Sequence, residues 1–94
     1  MFILHVDMKV KPGSEDRFTE TFKTVFLRAI SKQEGFAGVQ LLQVERQSTE
    51  YRLVIEFENQ DLQQKWVATS LHQEVWLQME NLCDGYTLQR FRLV

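Results

Sequence analysis

Trp66, Ser70 and His72 stand four and two residues apart within the run 59–76, NQDLQQKWVATSLHQEVW. An indole, a hydroxyl and an imidazole gathered beside an apolar sheet could hold a flat aromatic molecule. The indole would stack on it or donate its N–H, and a neutral imidazole would take a phenolic proton or donate to a developing oxyanion. A one-unit mismatch between the pKa of such a base and that of a phenol costs only about 1.4 kcal/mol, so histidine is chemically adequate. Each residue also has a plainer use. Leu62 and Trp66, one turn apart, are equally the sheet-facing stripe of a helix. Ser70 reads more readily as a helix cap than as a nucleophile, because no Gly-x-Ser-x-Gly elbow surrounds it. A first-turn histidine can simply face water.

The elements that must position these groups follow from periodicity. Residues 2–10, FILHVDMKV, alternate, with Phe2, Leu4, Val6, Met8 and Val10 on one face and Ile3, His5, Asp7 and Lys9 on the other. That is a strand with one buried face. Lys11-Pro12-Gly13 breaks it, Ser14 is placed to cap a helix, and Glu15 and Asp16 suit its positive end. The spacing of Phe18, Phe22, Val25, Phe26, Ala29 and Ile30 predicts a helix to about Lys32, with Gly35 as its C-terminal cap. Residues 38–46 and 51–58 read as two strands of a hairpin joined by 47–50. In the second, Tyr51, Leu53, Ile55 and Phe57 share the apolar phase, with Arg52, Val54 and Glu56 opposite.

Asn59 then caps a helix carrying Leu62 and Trp66. Ser70-Leu71-His72-Gln73 matches a capping box, so a helix restarts at Ser70 with His72 in its first turn, where the dipole disfavours imidazolium. Val75, Trp76, Met79 and Leu82 form its stripe. After Gly85, residues 86–94 close the chain as a last strand, with Tyr86 expected in the core. The order β-α-β-β-α-β with right-handed crossovers predicts an α+β, ferredoxin-like domain over residues 1–94, with an antiparallel sheet ordered 4-1-3-2 and its helices on one face. The other face mixes Ile3 and Val54 with His5, Asp7, Lys9, Arg52 and Glu56. It is too apolar for free water and too polar for a core, which suits packing against the same face of a second copy. His5, Asp7, Arg52 and Glu56 are expected as an ion-pair cluster at that seam.

Composition narrows the function further. Ninety-four residues bury only roughly 60–65% of the unfolded surface, and one cysteine, Cys83, forms no internal disulfide. A homodimer is therefore the expected source of extra burial, and a reducing, cytoplasmic location is expected. Eleven basic and thirteen acidic residues, net charge −2, are scattered in mixed sign and make no basic stripe for nucleic acid. No apolar run approaches the roughly 20 residues that span a bilayer, and Met1 leads straight into a strand pattern rather than a signal peptide. His5 and His72 are isolated, so no metal set is expected, and no Gly-rich loop is present to cradle a nucleotide cofactor.

Over FILHVDMKVKPGSEDRF at the start, EGFAGVQLLQ with its Gly35-Phe36 pair, and above all the Trp-x3-Ser-x-His spacing of Trp66, Ser70 and His72, the chain resembles the antibiotic biosynthesis monooxygenase (ABM) family of the dimeric α+β barrel group. The resemblance covers essentially the whole length. It implies a ferredoxin-like protomer, a dimer formed through the sheets, and a pocket between sheet and helices. It further implies oxidation of a phenolic or quinol compound without a cofactor, substrate deprotonation preparing direct reaction with dioxygen. On that pattern His72 is the base and Trp66 the wall, with Phe22, Phe26 and Ser70 completing the substrate site. One alternative is a non-catalytic dimer that binds a small apolar ligand. Another is haem binding and degradation, as in relatives that use an Asn on the first strand with a Trp and a His on the helical segment. Trp66 matches that tryptophan, but the first strand offers His5, Val6 and Asp7 and no Asn, and His72 lies earlier than that histidine would.

Overall fold

A computed structural model describes residues 1–94. Strand β1 (Phe2–Val10) leads to a helical segment, α1, spanning residues 15–30. A hairpin of β2 (Phe36–Gln43) and β3 (Glu50–Phe57) follows, then two helices, α2 (Gln60–Val67) and α3 (Ser70–Glu80), and the closing strand β4 (Cys83–Arg92). The four strands form one antiparallel sheet in the order β2-β3-β1-β4. This is the expected 4-1-3-2 arrangement seen from its other edge.

The alternation read from β1 and β3 is the core of the structure. Phe2, Leu4, Val6, Met8 and Val10 are buried with Tyr51, Leu53, Ile55 and Phe57. Removing apolar surface of this kind from water is the main favourable term in folding, at about 25 cal/mol per Å². The helix α1 brings Phe18, Phe22, Phe26 and Ile30 onto that face, all buried.

These four residues recur at a strict spacing of four. In an ideal α-helix each such step overshoots a full turn by about 40°, so three steps would carry Ile30 roughly 120° away from Phe18. The helix removes this drift with a wider π turn over Phe22–Phe26, where the Leu27 amide donates to the Phe22 carbonyl five residues back. The expected uniform helix is therefore two α segments, Glu15–Thr21 and Leu27–Ile30, flanking a π segment. The Ser14 side chain makes no capping hydrogen bond.

Helix α1 ends at Ile30 with Ser31 as its cap, not at Gly35. Gly35 serves the next link instead. Its φ is +81°, and a Cβ there would lie 2.8 Å from Leu62 Cβ and collide with Leu62 Cδ1. Its carbonyl accepts the Glu58 amide at 2.8 Å. Only glycine meets the backbone angle and the close approach of α2 together.

The hairpin strands lie one to three residues earlier than expected. Their connection is 44–49, closed by the Val44 amide donating to the Glu50 carbonyl at 2.8 Å, with Arg46 at φ +66°. Strand β4 likewise starts earlier, at Cys83, and ends at Arg92. The buried Cys83 thiol donates to the Met79 carbonyl. Burial, with Asp84 and Glu80 adding to it, pushes its pKa up to about 11, so it stays protonated and unreactive.

On the face away from the helices, Asp7 sits opposite Arg52 in register and accepts from it twice, at 2.7 and 3.3 Å. His5 does not join that pair. Its ring packs on Phe91 of β4, 4.6 Å between centroids. Ile3 and Val54 are half-buried there and Leu42 is exposed.

Candidate functional site

Asn59 caps α2 as expected, its Oδ1 accepting the Leu62 amide at 2.9 Å. Along α2, Gln63 and Trp66 are the buried residues, three apart and therefore on one face. Helix α3 is capped not by Ser70 but by Thr69, the residue with extended backbone (φ −81°, ψ 151°). An N-cap needs that non-helical conformation, and Ser70 is already inside the first turn, where it is exposed. The Thr69 hydroxyl does two things at once. It donates to the Trp66 carbonyl at 2.8 Å and accepts the His72 amide at 3.1 Å. One side chain thus ties together the backbones of the two residues singled out in the sequence.

Their rings meet as a result. The Trp66 and His72 centroids are 5.1 Å apart at an interplanar angle of 88°. Trp76 lies nearly parallel to His72 at 6.5 Å, and Tyr86 meets Trp76 edge-on at 5.1 Å. The Trp76 indole N–H is taken by Glu80 at 2.8 Å. Phe26 completes the cluster, 6.5 Å from Trp66 and 6.4 Å from Trp76.

Between these rings and the sheet lies a cavity of about 200 Å³. At roughly 30 Å³ per water it has room for six or seven waters, or for a small flat ring system. Leu4, Val6 and Ile55 form its floor, and Phe26, Trp66 and Trp76 wall it. Tyr86, Leu88 and Arg90 close its β4 side. They share the buried face because Met8, Val6 and Leu4 are their register partners. Its four polar side chains are Gln63, Gln64, His72 and Arg90, and no carboxylate lines it.

His72 borders this cavity half-buried, and neither ring nitrogen has a partner within the chain. Burial lowers its pKa below the usual imidazole value of 6.5, because a charged ring would lose its hydration. The helix dipole invoked from sequence works in the same direction, but burial is the main cause. The imidazole is therefore a neutral base at neutral pH. A folding consequence follows. Below pH 6.5 the unfolded chain takes up a proton that folded His72 resists, so the unfolded state binds more protons and stability declines as pH falls. The decline levels off once pH is below the lowered folded value. Thermal melts of the native chain and of His72→Gln are expected to run parallel above pH 6.5, with the native chain losing more stability below it. Equal slopes on both sides would contradict the burial of the ring.

Of the residues expected at a site, Trp66, His72 and Phe26 meet at this cavity. Phe22 stacks behind Phe26 at 6.2 Å without touching the cavity, and Ser70 lies outside it, facing solvent. Tyr86, expected in the core, is 41% exposed at the cavity edge. Gln63 and Arg90 were not singled out. Gln63 stands three residues before Trp66, and Arg90 continues the period-two series Tyr86, Leu88, Arg90, so both spacings were available in the sequence.

The model of the family described as antibiotic biosynthesis monooxygenase matches residues 1–76. Among solved structures, the cofactor-independent oxygenase SnoaB from Streptomyces nogalater superposes with a TM-score of 0.86 at 15% identity, covering 99% of this chain and 93% of that one. A protein named as a candidate antibiotic biosynthesis monooxygenase from Bordetella bronchiseptica gives 0.85 at 19% identity, over 99% and 97% of the two chains. A conserved protein from Methanosarcina mazei Go1 gives 0.85 at 14%, over 97% and 90%. Identities this low speak for a shared fold. No curated protein matches the sequence.

Proposed function

The chain belongs to the antibiotic biosynthesis monooxygenase family, whose model matches residues 1–76, and from that premise we propose that it is a cofactor-independent monooxygenase acting on a small phenolic or quinol compound. The observation that carries this reading is the mostly apolar cavity bordered by both the Trp66 indole and the unpartnered His72 imidazole. His72 takes the phenolic proton, and the ring lies against Trp66 and Trp76. Arg90, with no carboxylate beside it in the lining, favours the phenolate electrostatically. The electron-rich anion then supplies the electrons itself: dioxygen adds at a ring C–H carbon, one oxygen atom stays on that carbon as a carbonyl, and the other leaves as water with the two hydrogens. The apolar walls exclude bulk water from the reacting anion.

The test is dioxygen consumption by purified protein against a panel of hydroquinones and naphthols, corrected for uncatalysed oxidation. Uptake above blank on some member, with one oxygen atom from labelled dioxygen in the product, is the expected result. No uptake across the panel would remove the proposal. Ligand-dependent quenching of tryptophan fluorescence without product would leave a non-catalytic binding module instead.

The same reading includes a homodimer packed through the helix-free sheet face, which supports it by carrying half-buried Ile3 and Val54 and exposed Leu42 among charged groups. Sedimentation equilibrium at micromolar concentration is expected to give twice the 11.2 kDa chain mass. A monomer under those conditions would rule the dimer out.

A further inference from the structure

Gln63 is the only polar residue in the buried interior, 5% exposed, and it borders the cavity. Gln64 Nε2 donates to its Oε1 at 2.8 Å, and that is the only hydrogen bond its side chain makes. Its Nε2 therefore has no acceptor in the chain. That nitrogen is not sealed off either, because no buried side-chain N or O is left without a partner. The amide N–H pair is thus an unmatched donor presented to the cavity.

Water in the cavity can accept from it while the site is empty, but a ligand that displaces this water without supplying an acceptor leaves the donor unpaired, at a cost of about 1–3 kcal/mol. No side chain of the lining accepts from it, and no carboxylate borders the cavity. A ligand that displaces the water must therefore bring the acceptor itself.

We propose that Gln63 is a specificity-determining residue that donates to an oxygen carried directly on the ligand's ring, a carbonyl or a phenolate oxygen. This rests on the reading of the cavity as a site for a flat aromatic, and adds which group that aromatic must bear. Gln63 sits three residues from Trp66 on one helix face, so the ring that stacks on the indole is the one whose oxygen the amide reads. A site that hydrogen-bonds a ligand group rejects the analogue lacking it, because the site's own buried polar group is then unpaired.

The test compares 1-indanone with indane, two bicycles of the same size that differ by one carbonyl. Binding is followed by NMR titration of the Trp66 indole N–H signal. Native protein is expected to bind 1-indanone about tenfold more tightly. Gln63→Met, which keeps length and volume, is expected to bring the ratio to about one with indane bound at least as well. Gln63→Glu, which replaces the donor by an acceptor, is expected to bind 1-indanone less tightly than native protein does. Equal binding of the two probes by native protein, or a preference that survives in Gln63→Met, would overturn the assignment. Failure of both probes to bind would overturn it together with the cavity reading. A preserved indanone preference without any oxygen uptake would sink the oxygenase reading alone.

Discussion

His72→Gln is expected to lower oxygen uptake on a responsive phenol by roughly 10²–10⁴-fold, the range that one positioned general base contributes. The melting temperature at neutral pH should change little, because the ring is half-buried, makes no side-chain hydrogen bond and is neutral there. Glutamine fills similar space and can still bond the ligand, but it cannot accept a proton. The deficit should therefore depend on pH. As pH rises toward about 10, the usual phenol pKa, the substrate ionises by itself and the variant is expected to recover toward the native rate. At the acid side the native enzyme should lose activity only below pH 6.5, since burial keeps its base deprotonated further down than a free imidazole. Turnover at neutral pH that is unchanged in the variant would dismiss His72 as the base, whatever the substrate proves to be.

Trp66→Ala is expected to have the largest effect on stability. The side chain is 2% exposed, packs edge-on to Phe26 and His72, and forms a cavity wall. Truncating a buried tryptophan costs about 3–5 kcal/mol, of which part is lost transfer energy and part the void left behind. Small domains hold only about 5–15 kcal/mol in total. The expected fall in melting temperature is about 12–40 °C, given 4–8 °C per kcal/mol at this size. Trp66→Phe keeps most of the apolar volume and should lose less than half as much. The new space opens onto the existing cavity, so water enters and ligand affinity falls along with stability. Urea unfolding that shows a loss below about 1 kcal/mol for the alanine variant would mean that the indole is not core. The sequence left open whether Trp66 is packing or site. The structure has it buried in the core and on the cavity wall at once.

How much of this was legible depended on how local the cause is. The alternation of β1 and β3 named every buried residue of both strands correctly, because a strand's period of two assigns faces without reference to anything else. The element order sufficed for the sheet topology, since handed crossovers leave few ways to connect it. The hydroxyl capping α3 was misplaced by one residue. Both Thr69 and Ser70 are competent caps by type, and only the path from α2 into α3 decides which has extended backbone. The strict fourfold spacing of Phe18, Phe22, Phe26 and Ile30 was visible, but the π turn that keeps all four on the buried face appears only in the folded helix.

Tyr86 shows the same limit from the other side. Its apolar phase on β4 was right, yet β4 is an edge strand and α3 covers it only in part, so the ring ends at the mouth of a cavity and not in the core. Gln63 and Arg90 gained their place only from neighbours distant in sequence. Periodicity alone determined which face each side chain takes, because that is a property of the backbone repeat. Which of those faces closes, which stays open, and which polar group is stranded beside the opening were decided by tertiary packing, because they depend on what the other elements cover.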